Sequence, residues 1–196
     1  MKKSELRKIY ISKQRDISAS DRAEKSNALA ENFFRRFEIA ALGCLHCFIP
    51  IEKFNEIDTM AIIKTLWKNF PRLRVVVPRI DPETGAMRSA VYTAETELKK
   101  NVWDIPEPCE NEYIDANEID MVLLPLLCFD EAGHRVGYGK GFYDRFLKTC
   151  RADCVKVGLS YFELVSQIDD IHDGDVTLDY CITPDGLFNA ETPRRN

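Results

Sequence analysis

With 196 residues, 45% of them apolar and 30% charged, and only 9 Gly and 9 Pro, the chain has the make-up of one globular domain and excludes a disordered or fibrous protein. Thirty-two acidic against 27 basic side chains leave a formal net charge of −5, so no broad cationic face exists for nucleic acid, and an anionic ligand needs a local basic pocket. The seven cysteines are odd in number and scattered through apolar surroundings, which predicts reduced thiols in a cytoplasmic protein.

The first eight residues, Met1 to Lys8, are charged with no apolar run behind them, so they do not read as a secretory signal. Leu6, Ile9 and Tyr10 recur at helical spacing between Lys3 and Asp16 and predict an amphipathic helix. A second helix is expected from the cap candidates Ser18 to Asp21 through about Phe37, because that stretch holds no Gly or Pro. Leu42 to Ile49 then reads as a buried strand stopped by Pro50, Thr59 to Asn69 as a helix, and Arg74 to Val77 as a strand ended by Pro78. Asp81 to Gly85 predicts a turn into a strand from Met87 to Tyr92, and Trp103 to Pro108 is expected to be irregular.

Met121 to Leu124 is a continuous apolar run, as a central parallel strand covered on both faces requires. The nine-residue stretch from Met121 to Phe129, interrupted by Pro125, is the longest candidate for lipid and far too short to span a membrane. A helix from Phe142 to about Thr149 and strands at Val155 to Gly158 and Cys181 to Thr183 complete the series. This alternation predicts a single α/β domain over residues 1–188, a Rossmann-like open and mostly parallel sheet flanked by helices, with residues 189–196 as a disordered tail.

The segment from Gly133 to Arg145 carries the strongest chemical signal. Gly137, Gly139 and Gly141 let the backbone approach a polyanion, Arg135 and Lys140 supply positive charge, and the following helix should turn N–H groups toward the ligand. A nucleoside-triphosphate P-loop does not fit, since His134 and Gly141 stand where it needs Gly and Ser or Thr. The dinucleotide fingerprint fails on its third glycine. Lys3 and Arg7, four residues apart, share a helix face that is either solvated or ligand-facing, and Asp144 is either a helix cap or a metal ligand. Cys44 and Cys47 are three apart on a predicted strand and so face opposite sides, which argues against a metal or redox pair. His134 and His172 read as loop residues rather than as a catalytic base.

The run Arg135-Val136-Gly137-Tyr138-Gly139-Lys140-Gly141-Phe142-Tyr143-Asp144 resembles the signature of the 5-formyltetrahydrofolate cyclo-ligases. Lys3 with Arg7, Glu56 to Thr59, Trp103 to Pro108, Asp120 to Pro125 and Asp175 to Thr183 stand in the same family's order. One departure is Phe142, where the family often has Tyr. The resemblance implies ATP- and Mg²⁺-dependent closure of 5-formyltetrahydrofolate to 5,10-methenyltetrahydrofolate. A monomer is expected, and charge and span length predict no nucleic-acid or membrane partner. The resemblance places ATP on Lys3, Arg7 and the run from Arg135 to Tyr143, with Lys140 and Arg135 as the catalytic cations. It places the folate on Ile49, Glu56, Trp103 and Tyr143, and the metal on Asp144 with Asp175. The residues alone leave other α/β enzymes open, acting on a sugar phosphate or a coenzyme A ester, and a nucleotide-sensing module as well.

Overall fold

The computed structural model describes residues 1–101, 105–109 and 112–190. In chain order these form helices α1 (Lys3–Arg15) and α2 (Ala19–Arg36), strand β1 (Cys44–His46), helix α3 (Met60–Asn69), and strands β2 (Arg74–Ile80), β3 (Met87–Val91), β4 (Leu98–Lys100), β5 (Pro106–Pro108) and β6 (Tyr113–Ile114). Strands β7 (Met121–Pro125), β8 (Cys128–Phe129) and β9 (Arg135–Val136) precede helix α4 (Phe142–Leu147), and β10 (Val155–Leu159), β11 (Tyr180–Thr183) and β12 (Gly186–Asn189) follow it.

Eight strands make one mixed sheet in the order β12-β11-β10-β7-β1-β2-β3-β6. The five strands from β11 to β2 are mutually parallel, and the antiparallel pairs lie at the two edges. The expected single α/β domain with a mostly parallel sheet is therefore what the chain forms. From β1 the chain crosses through α3 to β2 on one side, and from β7 through α4 to β10 on the other, so the topological switch lies between β1 and β7.

The period of two along each strand builds two cores. Leu45, Val75, Val77 and Leu123 pack with Leu29 and Phe33 of α2 and Ile63 and Leu66 of α3 on one face. Cys44, Val76, Val122 and Leu124 pack with Phe146 and Leu147 of α4 on the other. Cys44 and Cys47 fall in different cores, as their spacing predicts. A third cluster holds Leu6 and Tyr10 of α1 against Leu127, Cys128 and Val136, which seats α1 on the small β8–β9 hairpin.

Several local expectations are corrected. Strand β2 runs through Pro78 to Ile80. Val76 accepts from Cys47 N–H, so Pro78, two residues on, turns its missing N–H toward the side where β1 has already ended. Pro106 to Pro108, expected to be irregular, pairs with Leu98 to Lys100 in a separate two-stranded sheet. The glycine-rich loop does not follow the central strand directly, because the β8–β9 hairpin comes between them and carries the loop. Helix α4 ends at Leu147, two residues before the expected Thr149, and opens on Gly141 in the left-handed region.

Candidate active site

Beyond the carboxyl ends of β1, β2 and β7, at the switch point, lies a cavity of about 990 Å³. It brings together nearly every site residue that the sequence singled out: Lys3 and Arg7 from α1, Ile49 and Glu56 after β1, the loop from Gly137 to Tyr143 with Arg135, and Asp144 with Asp175. One expected residue stands apart. Val136 is fully buried beside Leu6 and Tyr10, so its side chain holds α1 to the hairpin instead of facing a ligand. Trp103 lies outside the described residues.

One half of the cavity is polar. The Arg7 Nε–H donates to the Gly137 carbonyl at 2.8 Å, tying α1 to the loop. Gly139 holds φ at +92°, and a Cβ there would meet the Arg7 guanidinium at 3.2 Å, so glycine is needed both for the backbone and for the approach of Arg7. Arg135, with a side chain 7% exposed, donates to Asp144 Oδ1 at 2.7 Å and to the Val176 carbonyl. Burial lowers the Arg135 pKa, against the pull of Asp144 and Asp175. Asp144 Oδ1 also accepts from Val176 N–H at 3.2 Å, so Asp144 does not cap its own helix.

Lys3 pairs with Asp175. Partial burial pushes the Asp175 carboxyl upward, but the His172 N–H and the Lys3 ammonium outweigh it and hold the group below its ordinary value. Lys140 is exposed and, among the described residues, its ammonium has no hydrogen-bond or ion-pair partner. Its ammonium is therefore free to meet an incoming anion.

The other half is apolar around one buried acid. Ile49, Phe54, Ile80 and Met87 line it, and Glu56, 4% exposed, stands among them. Burial pushes the Glu56 carboxyl up to about 7, although the Ile51 N–H at 2.8 Å, the Tyr138 hydroxyl and Arg22 all favour its ionised form. Tyr143 forms part of the wall, and its hydroxyl is buried with no protein partner among the described residues. Such an orphaned donor costs free energy until a ligand oxygen or water meets it.

Two parts of the site were not legible in sequence. Gln14 lies seven residues after Arg7 on the same face of α1 and lines the cavity. That spacing was the available signal. Ile80 and Met87 flank the Asp81 turn and reach the cavity only because the β2–β3 hairpin folds over it.

Asp144 and Asp175 fit a magnesium ion in one respect. Each engages one carboxylate oxygen within the protein, and among the described residues the other has no hydrogen-bond or ion-pair partner, while both line the cavity. Magnesium commonly takes one or two carboxylates and completes its shell with water and substrate phosphate. Among the described residues no group of three or more His, Cys, Asp or Glu side chains is placed to hold a metal by itself.

Comparison with known proteins points to one family. A sequence model described as the 5-formyltetrahydrofolate cyclo-ligase family matches residues 1–184. The chain is 36% identical over 111 residues to the 5-formyltetrahydrofolate cyclo-ligase of Haemophilus influenzae, covering 55% of this chain and 58% of that protein. It is 31% identical over 139 residues to the Escherichia coli K12 enzyme of the same name, covering 68% of this chain and 75% of that one. The solved structure of Aquifex aeolicus 5,10-methenyltetrahydrofolate synthetase superposes with a TM-score of 0.82 at 25% identity, covering 100% of this chain and 96% of that one. The chain belongs to the 5-formyltetrahydrofolate cyclo-ligase family, ATP-dependent ligases of folate one-carbon metabolism.

Proposed function

We propose that this protein, acting as a monomer, closes 5-formyltetrahydrofolate to 5,10-methenyltetrahydrofolate in this cavity at the expense of ATP. The observation that carries the reading is the joining of a cationic glycine loop and a buried carboxylate with apolar walls in one space. Arg7, Arg135, Lys140 and the glycine backbone receive the triphosphate. Glu56 accepts paired N–H donors of the pterin, with Ile49 as an apolar surface beside it.

The formyl oxygen is a poor leaving group. Transfer of the γ-phosphoryl group to it releases ADP and gives an imidate phosphate, and the neighbouring anilino nitrogen then attacks the formyl carbon. Phosphate leaves with the former formyl oxygen, and the nitrogen gives up its proton. Such transfer depends on alignment and charge neutralisation more than on a protein nucleophile. Lys140 moves with the charge that develops on the transferred group, Arg135 is held by Asp144 at the base of the loop, and Tyr143 offers its unpartnered hydroxyl to a substrate oxygen. Asp144 and Asp175 would hold a magnesium ion, which would supply further neutralisation of the phosphate oxygens.

The seven unpaired thiols suit a reducing compartment, and among the described residues no helix is long and apolar enough to cross a membrane. The test is the rise of methenyltetrahydrofolate absorbance when the purified protein meets 5-formyltetrahydrofolate and Mg-ATP, with an ATP-free control. No rise from folded, ATP-binding protein overturns the reading.

A further inference from the structure

At the polar end of the cavity, two cations read as nucleotide ligands are each held by an acid read as a metal ligand. The Lys3 ammonium, on a side chain 14% exposed, pairs with Asp175 Oδ2, and Arg135 donates to Asp144 Oδ1 at 2.7 Å. The two pairs belong to one network. Val176, next in sequence to Asp175, donates its N–H to Asp144 Oδ1 at 3.2 Å and accepts from Arg135 at its carbonyl. The His172 N–H donates to Asp175 Oδ2 at 2.8 Å, and the Lys3 N–H donates to Asp170, which also lines the cavity. Arg7 and Lys140 line the same space with no acidic partner among the described residues.

A carboxylate shares one negative charge among the cations that meet it. Metal-free ATP entering this end competes with Asp175 for Lys3 and lies beside the carboxylates of Asp144, Asp170 and Asp175, so only Arg7 and Lys140 receive it unopposed. A divalent cation arriving alone meets carboxylates already offset by Lys3 and Arg135. When both arrive, Asp175 would give its other oxygen to the metal and Lys3 would turn its charge to the phosphates. We infer that the Lys3–Asp175 pair determines specificity for the metal complex of ATP, holding off free ATP and free metal alike. This rests on the reading that Lys3 serves the nucleotide and Asp175 the metal. Arg135 is nearly buried and also bonded to the Val176 carbonyl, so it stays with Asp144. The Lys3 ammonium has Asp175 as its single partner among the described residues, on a flexible side chain, and is the cation able to change partners. The coupling is reciprocal: the factor by which the metal tightens ATP is the factor by which ATP tightens the metal.

Equilibrium titrations of the full chain without folate test this, so that binding is read and not turnover. Wild type should bind ATP with excess EDTA at least about tenfold more weakly than ATP with magnesium. Asp175→Asn should bind ATP with EDTA about tenfold more tightly than wild type does, the size of a hydrogen bond to a charged group, and should lose most of the preference for the magnesium complex. Lys3→Met should bind Mn²⁺ alone about tenfold more tightly than wild type, read by water-proton relaxation, because no ammonium then competes for the Asp175 carboxylate. Loss of a merely structural contact would weaken these affinities, whereas each variant here should strengthen one. Equal affinity of wild type for the two forms of ATP, an Asp175→Asn variant that binds ATP with EDTA no more tightly than wild type, or a Lys3→Met variant that binds Mn²⁺ no more tightly overturns the assignment. Should Asp175→Asn fail to fold, Lys3→Met decides by itself. Wild type that binds neither form of ATP overturns the nucleotide reading together with the coupling. The folate reading stands or falls separately on methenyltetrahydrofolate absorbance, since these titrations contain no folate.

Discussion

The Arg7 Nε–H donates to the Gly137 carbonyl at 2.8 Å across 130 positions of sequence, and the Gly139 backbone leaves room for the same guanidinium. Gly139→Ala should therefore strain the loop in two ways, by placing a Cβ at φ +92° and by pressing it against Arg7. The expected result is a several-fold rise in KM for ATP and a stability loss of roughly 1–3 kcal/mol. ATP titration and thermal melting check it. Wild-type values in both would show that the loop does not depend on this approach.

Lys140→Ala should lower kcat by about 100-fold, the loss typical of one donor to transition-state charge. Its melting temperature should stay at the wild-type value, because the exposed ammonium has no protein partner among the described residues. Full activity in this variant would remove Lys140 from the reaction.

Glu56 and His46 should give opposite pH dependences. Burial raises the Glu56 carboxyl to about 7, so the stability of the neutral acid is fully present below the ordinary carboxylate value and is lost as pH rises through about 7. Folate binding needs the carboxylate, so KM for folate should fall as pH rises from 6 to 8, and Glu56→Gln should flatten that slope and weaken folate more than ATP. A KM slope that survives in Glu56→Gln would assign it to another group.

Burial lowers His46 to about 3, and its Nδ1 lies 3.0 Å from Ser89 Oγ. Stability from this neutral imidazole is present above 6.5, the ordinary value, and is lost as pH falls toward 3. Between pH 6.5 and 5 the loss should reach about 2 kcal/mol. Chemical denaturation of wild type and His46→Gln at pH 5 and 7 checks it. The two groups oppose each other in this window, so the single variants reveal slopes that wild type partly conceals.

Asp144→Asn should raise the magnesium concentration needed for half-maximal activity, and it also weakens the partner of buried Arg135. Activity lost to a chelator and restored by magnesium, with a right-shifted metal titration in the variant, is the expected pattern. An unshifted titration would leave Asp144 as the holder of Arg135 alone.

Much of this was legible without coordinates. The helical spacing of Leu6 and Tyr10, the unbroken apolar run at Met121, and the glycines and cations after Arg135 each follow from a local rule of period, burial or backbone freedom. Those rules set the α/β alternation and named most of one side of the cavity. They also misled where a partner strand mattered: Pro78 continues β2 because its neighbour has ended, and Pro106 to Pro108 pairs because β4 lies beside it. Nothing local shows that Val136 faces α1, that α4 stops after six residues, or that Asp175 meets Lys3 across 172 positions. The sequence by itself determined the elements, the central strand and the chemical character of the loop, because these depend on neighbours along the chain. Tertiary structure alone decided which cations are already paired, that Glu56 is buried enough to titrate near 7, and that Gln14 joins the two halves of the cavity, because charge pairing and desolvation depend on which distant segments pack together.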